Sequence, residues 1–153
     1  MSHLHLEVQR AASGCSAPTD AEFRRWVNGA LETAVSRAEV TIRLVDDAES
    51  AHLNAAYRNK QGPTNVLSFA YDRPPGSTVD LLGDLAICAP LVGREAAEQG
   101  MPEQARWAHM VVHGILHLRG YDHENTTQAQ EMEDLERRIL AKLGFADPYA
   151  LVD

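Results

Sequence analysis

Apolar positions change their spacing several times along the chain, and each change predicts an element. In "HLHLEV" every second residue is apolar (Leu4, Leu6, Val8), which predicts a strand with one buried face. "VTIRLV" repeats the alternation with Val40, Ile42 and Leu44 and predicts a second strand. Between them, Pro18 and Thr19 precede a helical segment of about 17 residues, and Thr19 and Glu22 stand at capping-box spacing. Asp46 and Glu49 are placed to cap another helix, running to about Tyr57. Gly62 and Pro63 mark a loop, "NVLSFAY" a third strand, Pro74 to Gly76 a second loop, and "GDLAICA" a fourth strand. Pro90 suits the start of a helix that ends at Gly100, and Pro102 opens the next, which Gly120 ends. Thr127 and Gln130 offer a further capping box, after which Met132, Leu135, Ile139 and Leu143 mark the buried stripe of a last helix. Strands and helices mix without strict alternation. The prediction is α+β: a single domain over residues 1–153, with a small mixed sheet of about four strands and about five helices.

Composition narrows the setting. At 153 residues and 44% hydrophobic content the chain is long enough for its own core without staples. No apolar run approaches the ~20 residues that span a bilayer. The start "MSHLHLEVQR" lacks the basic opening and long apolar stretch of a signal peptide, so a cytoplasmic location and no membrane partner are expected. Cys15 and Cys88 are the only cysteines, too few for a Cys-rich zinc site. Cys88, inside "DLAICAP", reads as a small buried hydrophobe. The net charge of -8 excludes a surface that attracts nucleic acid everywhere, but leaves room for a local basic groove. A bound metal ion would add positive charge that residue counting omits.

The chemistry concentrates in "HMVVHGILHLRGYDHEN", which holds four of the seven histidines. His113, His117, Gly120 and His123 form the pattern H-x-x-x-H-x-x-G-x-x-H. Residues four apart share a helix face, so His113 and His117 can point at one ion. Gly120 can take the positive φ that turns the chain back and brings His123 to the same point. His109 lies on the same stripe but about 12 Å along the axis from His117, too far for one ion at a zinc–nitrogen bond of about 2.0–2.1 Å. Three neutral imidazoles suit zinc; nickel, copper and iron accept them too. Three protein ligands leave a fourth position open, the pattern of a catalytic rather than a closed structural site. Metalloproteases of the metzincin type share this spacing but carry Glu directly after the first His. Here Gly114 stands there, which counts against peptide hydrolysis by that route, and a side chain at 114 is expected to crowd the metal side of the helix. Asp122 and Glu124 flank His123 and are candidates to supply the carboxylate that Gly114 lacks; the alternatives are a hydrogen bond that orients a metal ligand, or a helix cap.

In "YRNKQGPTNVLSF", Arg58 and Lys60 follow the end of a helix, where exposed cations are favoured in any case. Together with "HGILHLRGYDH" and "LLGDLAIC", the stretch "AAYRNKQGPTNVLSFAYD" closely resembles the YbeY family of bacterial zinc-dependent endoribonucleases and rRNA maturation factors. The resemblance covers roughly residues 40 to 145.

That resemblance implies one zinc ion held by His113, His117 and His123, and a functional Arg58 in the groove beside it. Lys60 is a candidate for guiding the RNA backbone. The implied activity is cleavage of single-stranded RNA, in maturation of the 16S rRNA 3′ end and in ribosome quality control. The implied partners are rRNA and the small ribosomal subunit, not DNA. The alternatives are a non-catalytic, zinc-containing ribosome-assembly factor and a metallohydrolase of another substrate. The chain departs from the family pattern at Gln61, where Asp often follows the Lys, and at Ala70, where Pro commonly follows Ser-Phe.

Overall fold

The structure, a computed structural model, describes residues 3–12, 14 and 16–150. Strand β1 (His3–Arg10) runs parallel to β2 (Arg37–Val45), with Leu6 opposite Val40. Their alternation places Ala38, Val40, Ile42 and Leu44 in the core, with Leu4, Leu6 and Val8 packed against it. β4 (Leu81–Cys88) adds in parallel to the other side of β2, and β3 (Val66–Ala70) pairs antiparallel with β4. The mixed sheet therefore has the order β1-β2-β4-β3, and with five helices among the described residues the fold is α+β as predicted.

Helix α1 (Asp20–Leu31) starts on the predicted capping box: the Glu22 amide donates to Thr19 Oγ1 at 3.2 Å, and the Thr19 amide donates to the Glu22 carboxylate at 2.9 Å. It is shorter than the predicted run, at 12 residues. Arg119 explains the early stop, because its Nη1 donates to the Ala30 carbonyl at 2.8 Å and to the Glu32 carboxylate at 3.0 Å. A distant side chain thus takes one of the orphan carbonyls at the helix end. Asp46 caps α2 (Asp47–Arg58), accepting from the Glu49 amide at 2.8 Å. Pro90 sits in the first turn of α3 (Ala89–Gln99), which Gly100 closes. The last helix, α5 (Thr126–Leu143), corrects the sequence reading at its start. Asn125, not Thr127, is the cap: its extended backbone lets Oδ1 accept from the Gln128 amide at 2.9 Å, and Thr127 lies inside the first turn.

Helix α4 (Glu103–Leu118) is the centre of the molecule, packed on β3, β4, α1, α3 and α5. From Arg106 to His117 every residue is buried except His113 and His117. Phe23, Trp26 and Trp107 anchor the α1–α4 contact with edge-to-face ring pairs at 5.9 and 5.8 Å. Each such pair adds about 0.5–1.5 kcal/mol beyond its buried area. Cys88 is fully buried, and that burial pushes its thiol up from the ordinary value. Cys15 lies outside the described residues. Among the described residues no helix is long and apolar enough to cross a membrane.

Candidate metal centre

The two partly exposed residues of the α4 core segment are the ones that face a cleft. His113 and His117 stand one turn apart, with their Nε2 atoms 3.1 Å from each other. After Leu118 the chain reverses: the Gly120 amide donates to the His117 carbonyl at 3.0 Å and the Tyr121 amide to the Leu116 carbonyl at 3.0 Å. Gly120 has φ 100°, and a Cβ there would meet nothing within 4 Å, so backbone conformation and not crowding calls for glycine. The reversal brings His123 back, its ring 5.2 Å from that of His117 and 5.9 Å from that of His113.

One ring nitrogen from each of the three lies within 4.8 Å of the others, an arrangement able to hold a metal ion. Two nitrogens sharing a tetrahedral zinc at 2.0–2.1 Å stand about 3.3 Å apart, close to the His113–His117 spacing. Burial, reinforced by the neighbouring His113 and His123, pushes His117 below its ordinary value and favours the neutral form that a ligand needs. The donor set therefore fits a divalent transition metal.

His109 stands apart from this set, as helix geometry requires. It is 5% exposed, and its Nε2 hydrogen-bonds Glu136 Oε2. His113 Nδ1 lies 3.1 Å from the other oxygen, Glu136 Oε1, and the Tyr149 hydroxyl donates to Oε2 at 3.0 Å. Burial alone would raise the Glu136 carboxyl, but the hydrogen bonds it accepts from His109 and His113 outweigh it and lower the group to about 2. Glu136 was missed in the sequence reading. The signal was available: a carboxylate set among Met132, Leu135 and Ile139 on the buried stripe needs a partner inside the protein.

The cleft, about 690 Å³, is also lined by Asp122, by Tyr57 and Arg58 at the end of α2, and by β3. Arg58 is thus brought to the histidines from 55 positions earlier than His113. Among the described residues its guanidinium has no carboxylate within 4.0 Å, whereas Arg43, Arg94 and Arg106 all have one. Lys60 is exposed and does not line the cleft. The His123 amide donates to Asp122 Oδ1 at 2.7 Å, which holds the Asp122 carboxyl below its ordinary range. Glu124 is exposed and outside the lining. Tyr57, 68% exposed, stacks edge-to-face on Phe69 with ring centres 5.1 Å apart. Of the two departures from the family pattern, Gln61 is in an exposed loop, and Ala70 pairs with Gly83 at the end of β3.

Gly114 corrects the expectation that a side chain there would crowd the metal side. It faces the sheet: a Cβ would stand 2.7 Å from Leu85 Cδ2, and the Gly114 carbonyl accepts from Ser68 Oγ at 3.2 Å.

Sheet, central helix and cleft define an α+β protein whose histidine cluster can hold a metal beside an arginine that no carboxylate among the described residues pairs with. The family model described as endoribonuclease YbeY matches residues 9–144. The chain belongs to this family of endoribonucleases, and RNA is the substrate class that follows. The solution structure of TM1509 from Thermotoga maritima shares the fold, with a TM-score of 0.56 at 19% identity over 95% of this chain and 99% of that one.

Proposed function

We propose that the chain is a zinc-dependent, single-strand-specific endoribonuclease. It matures the 16S rRNA 3′ end and serves ribosome quality control in the cytoplasm, working on the small ribosomal subunit as one domain over residues 1–153. The observation that carries this reading is a single cleft holding three convergent imidazoles and a guanidinium that no carboxylate among the described residues pairs with.

His113, His117 and His123 hold the ion. When bound, it supplies Lewis-acid stabilisation of the charge that builds on the phosphoryl group. Arg58 grips the same phosphate with its planar fork, and its charge is free for this because no carboxylate of the described residues pairs with it. In a chain of net charge -8, such an unpaired cation is where a phosphate backbone finds attraction. Lys60, exposed two residues after Arg58, steers the RNA backbone. The exposed ring of Tyr57, propped edge-to-face on the half-buried Phe69, offers a face for an unpaired base, a contact worth about 1–3 kcal/mol per base that a duplex cannot make without unstacking. Peptide hydrolysis with a Glu at 114 is not supported, since that position faces Leu85.

The test is metal analysis of the purified protein, then cleavage of a single-stranded RNA with and without that metal, beside an identically prepared Arg58→Ala variant. Metal-dependent cuts absent from the variant support the reading. Folded, metal-loaded protein that leaves RNA intact would point instead to a non-catalytic assembly factor.

A further inference from the structure

The buried side of the histidine cluster holds charged groups that the cleavage reaction itself does not use. We propose that Glu136 is a positioning residue: a one-directional hydrogen-bond chain, Arg106 to His109 to Glu136, holds His113 as its Nδ1–H tautomer and turns its Nε2 lone pair into the cluster. The proposal rests on the reading of His113 as a metal ligand.

The direction of the chain follows from what each group can donate. A guanidinium only donates. Arg106 Nη1 lies 3.3 Å from His109 Nδ1, so Nδ1 is the acceptor. His109 is then a neutral imidazole with its proton on Nε2, because an imidazolium would set two N–H groups against each other. The Nε2–H meets Glu136 Oε2, which also accepts from the Tyr149 hydroxyl. An ionised carboxylate only accepts. The contact from Glu136 Oε1 to His113 Nδ1, at 3.1 Å, therefore takes its proton from His113. What remains on His113 is a bare Nε2, and it faces His117 Nε2.

Burial gives this direction its force. Arg106, His109 and Glu136 are 8%, 5% and 1% exposed. Flipping one tautomer would leave two lone pairs or two protons facing each other away from water. The chain is also anchored at its far end. Arg106 donates twice to Glu95 Oε1, at 2.7 and 3.2 Å, and Glu95 accepts from Asn65 Nδ2 at 3.1 Å. Asn65 lines the cleft, so the tautomer of His113 is tied to side chains of α3, α4, α5 and the cleft wall. The same geometry argues against a second ion on His109, His113 and Glu136, although their ligand atoms lie close enough. His109 Nε2 cannot both donate to Glu136 and ligate.

The experiment is long-range 1H–15N correlation spectroscopy of histidine side chains in the metal-free protein, beside zinc affinity by competition with a chromophoric chelator. Wild type should give His113 as Nδ1–H and His109 as Nε2–H. Glu136→Gln should lose the His113 preference and weaken zinc about 10–100-fold, as loss of an outer-shell partner does. Arg106→Met should scramble His109, and Arg106→Lys, still a donor-only group, should restore it. An Nε2–H tautomer at His113 in wild type would overturn the proposal. So would zinc affinity in Glu136→Gln equal to wild type, or two ions per chain. Where a variant fails to fold, the wild-type spectrum alone decides. Zinc affinity unchanged in His117→Ala would remove the ligand reading, while the spectrum would still judge the hydrogen-bond chain.

Discussion

A Cβ on Gly114 would stand 2.7 Å from Leu85 Cδ2, closer than side-chain atoms pack. Leu85 is fully buried on the inner strand β4, so moving its side chain disturbs the packing around it. Glycine at 114 therefore lets α4 lie close on β4, which sets the depth of His113 and His117 in the cleft. Gly114→Ala should cost about 1–3 kcal/mol by overpacking, offset by about 1 kcal/mol of helix propensity. In a Leu85→Ala background the same change should become neutral or stabilising. Urea unfolding of the four proteins measures this coupling, and a coupling of zero would show that the close approach is relieved elsewhere. Gly114→Glu should unfold the helix–sheet contact and create no peptidase.

The proposed ligand set predicts about one zinc per chain. His117→Ala should abolish tight binding. His109→Ala should keep the stoichiometry, with weaker affinity because His113 loses part of its support through Glu136. Metal analysis after dialysis reads both, and equal loss of metal in the two variants would mean a different ligand set. Acid should release the ion, since imidazoles ligate only when neutral.

Arg58 lies exposed at the C-terminal end of α2, so its removal should spare the fold. Arg58→Ala should slow RNA cleavage by roughly 10²-fold or more while the protein keeps its zinc, as loss of an oxyanion-type donor does. Arg58→Lys should recover only part, because a point charge lacks the fork. Equilibrium RNA binding should weaken far less than single-turnover cleavage, with both measured at one salt concentration. Wild-type cleavage by Arg58→Ala would reduce the residue to a solvated surface charge.

Glu136 predicts an acid-sensitive fold in the metal-free protein. Its carboxyl is lowered on folding, from 4.5 to about 2, so the native state holds its proton less tightly than the unfolded chain does. The stabilisation is fully present above 4.5 and is lost as pH falls from there toward about 2. Urea midpoints of wild type and Glu136→Gln should differ most near neutrality and converge on acidification. A gap that stays constant would show that Glu136 does not carry this dependence.

Local chemistry made much of the chain legible in its sequence. Alternation in Leu4-Leu6-Val8 and Val40-Ile42-Leu44 needs only the two-residue period of a strand. The caps at Thr19 and Asp46 need only a side-chain oxygen within three residues of an amide. The spacing of His113, His117, Gly120 and His123 depends on one helix turn and one positive φ. Thr127 does not cap α5 because Asn125, two positions earlier, is as good a cap and is already extended. Packing decided the rest. The order β1-β2-β4-β3, the stop of α1 at the reach of Arg119, the burial of Gly114 on Leu85, the entry of Arg58 into the histidine cleft and the placing of Glu136 behind His113 all join residues far apart in sequence. No local period encodes such contacts. They arise when the apolar faces of α4, α5 and the sheet bury one another and carry their few polar side chains into the same interior.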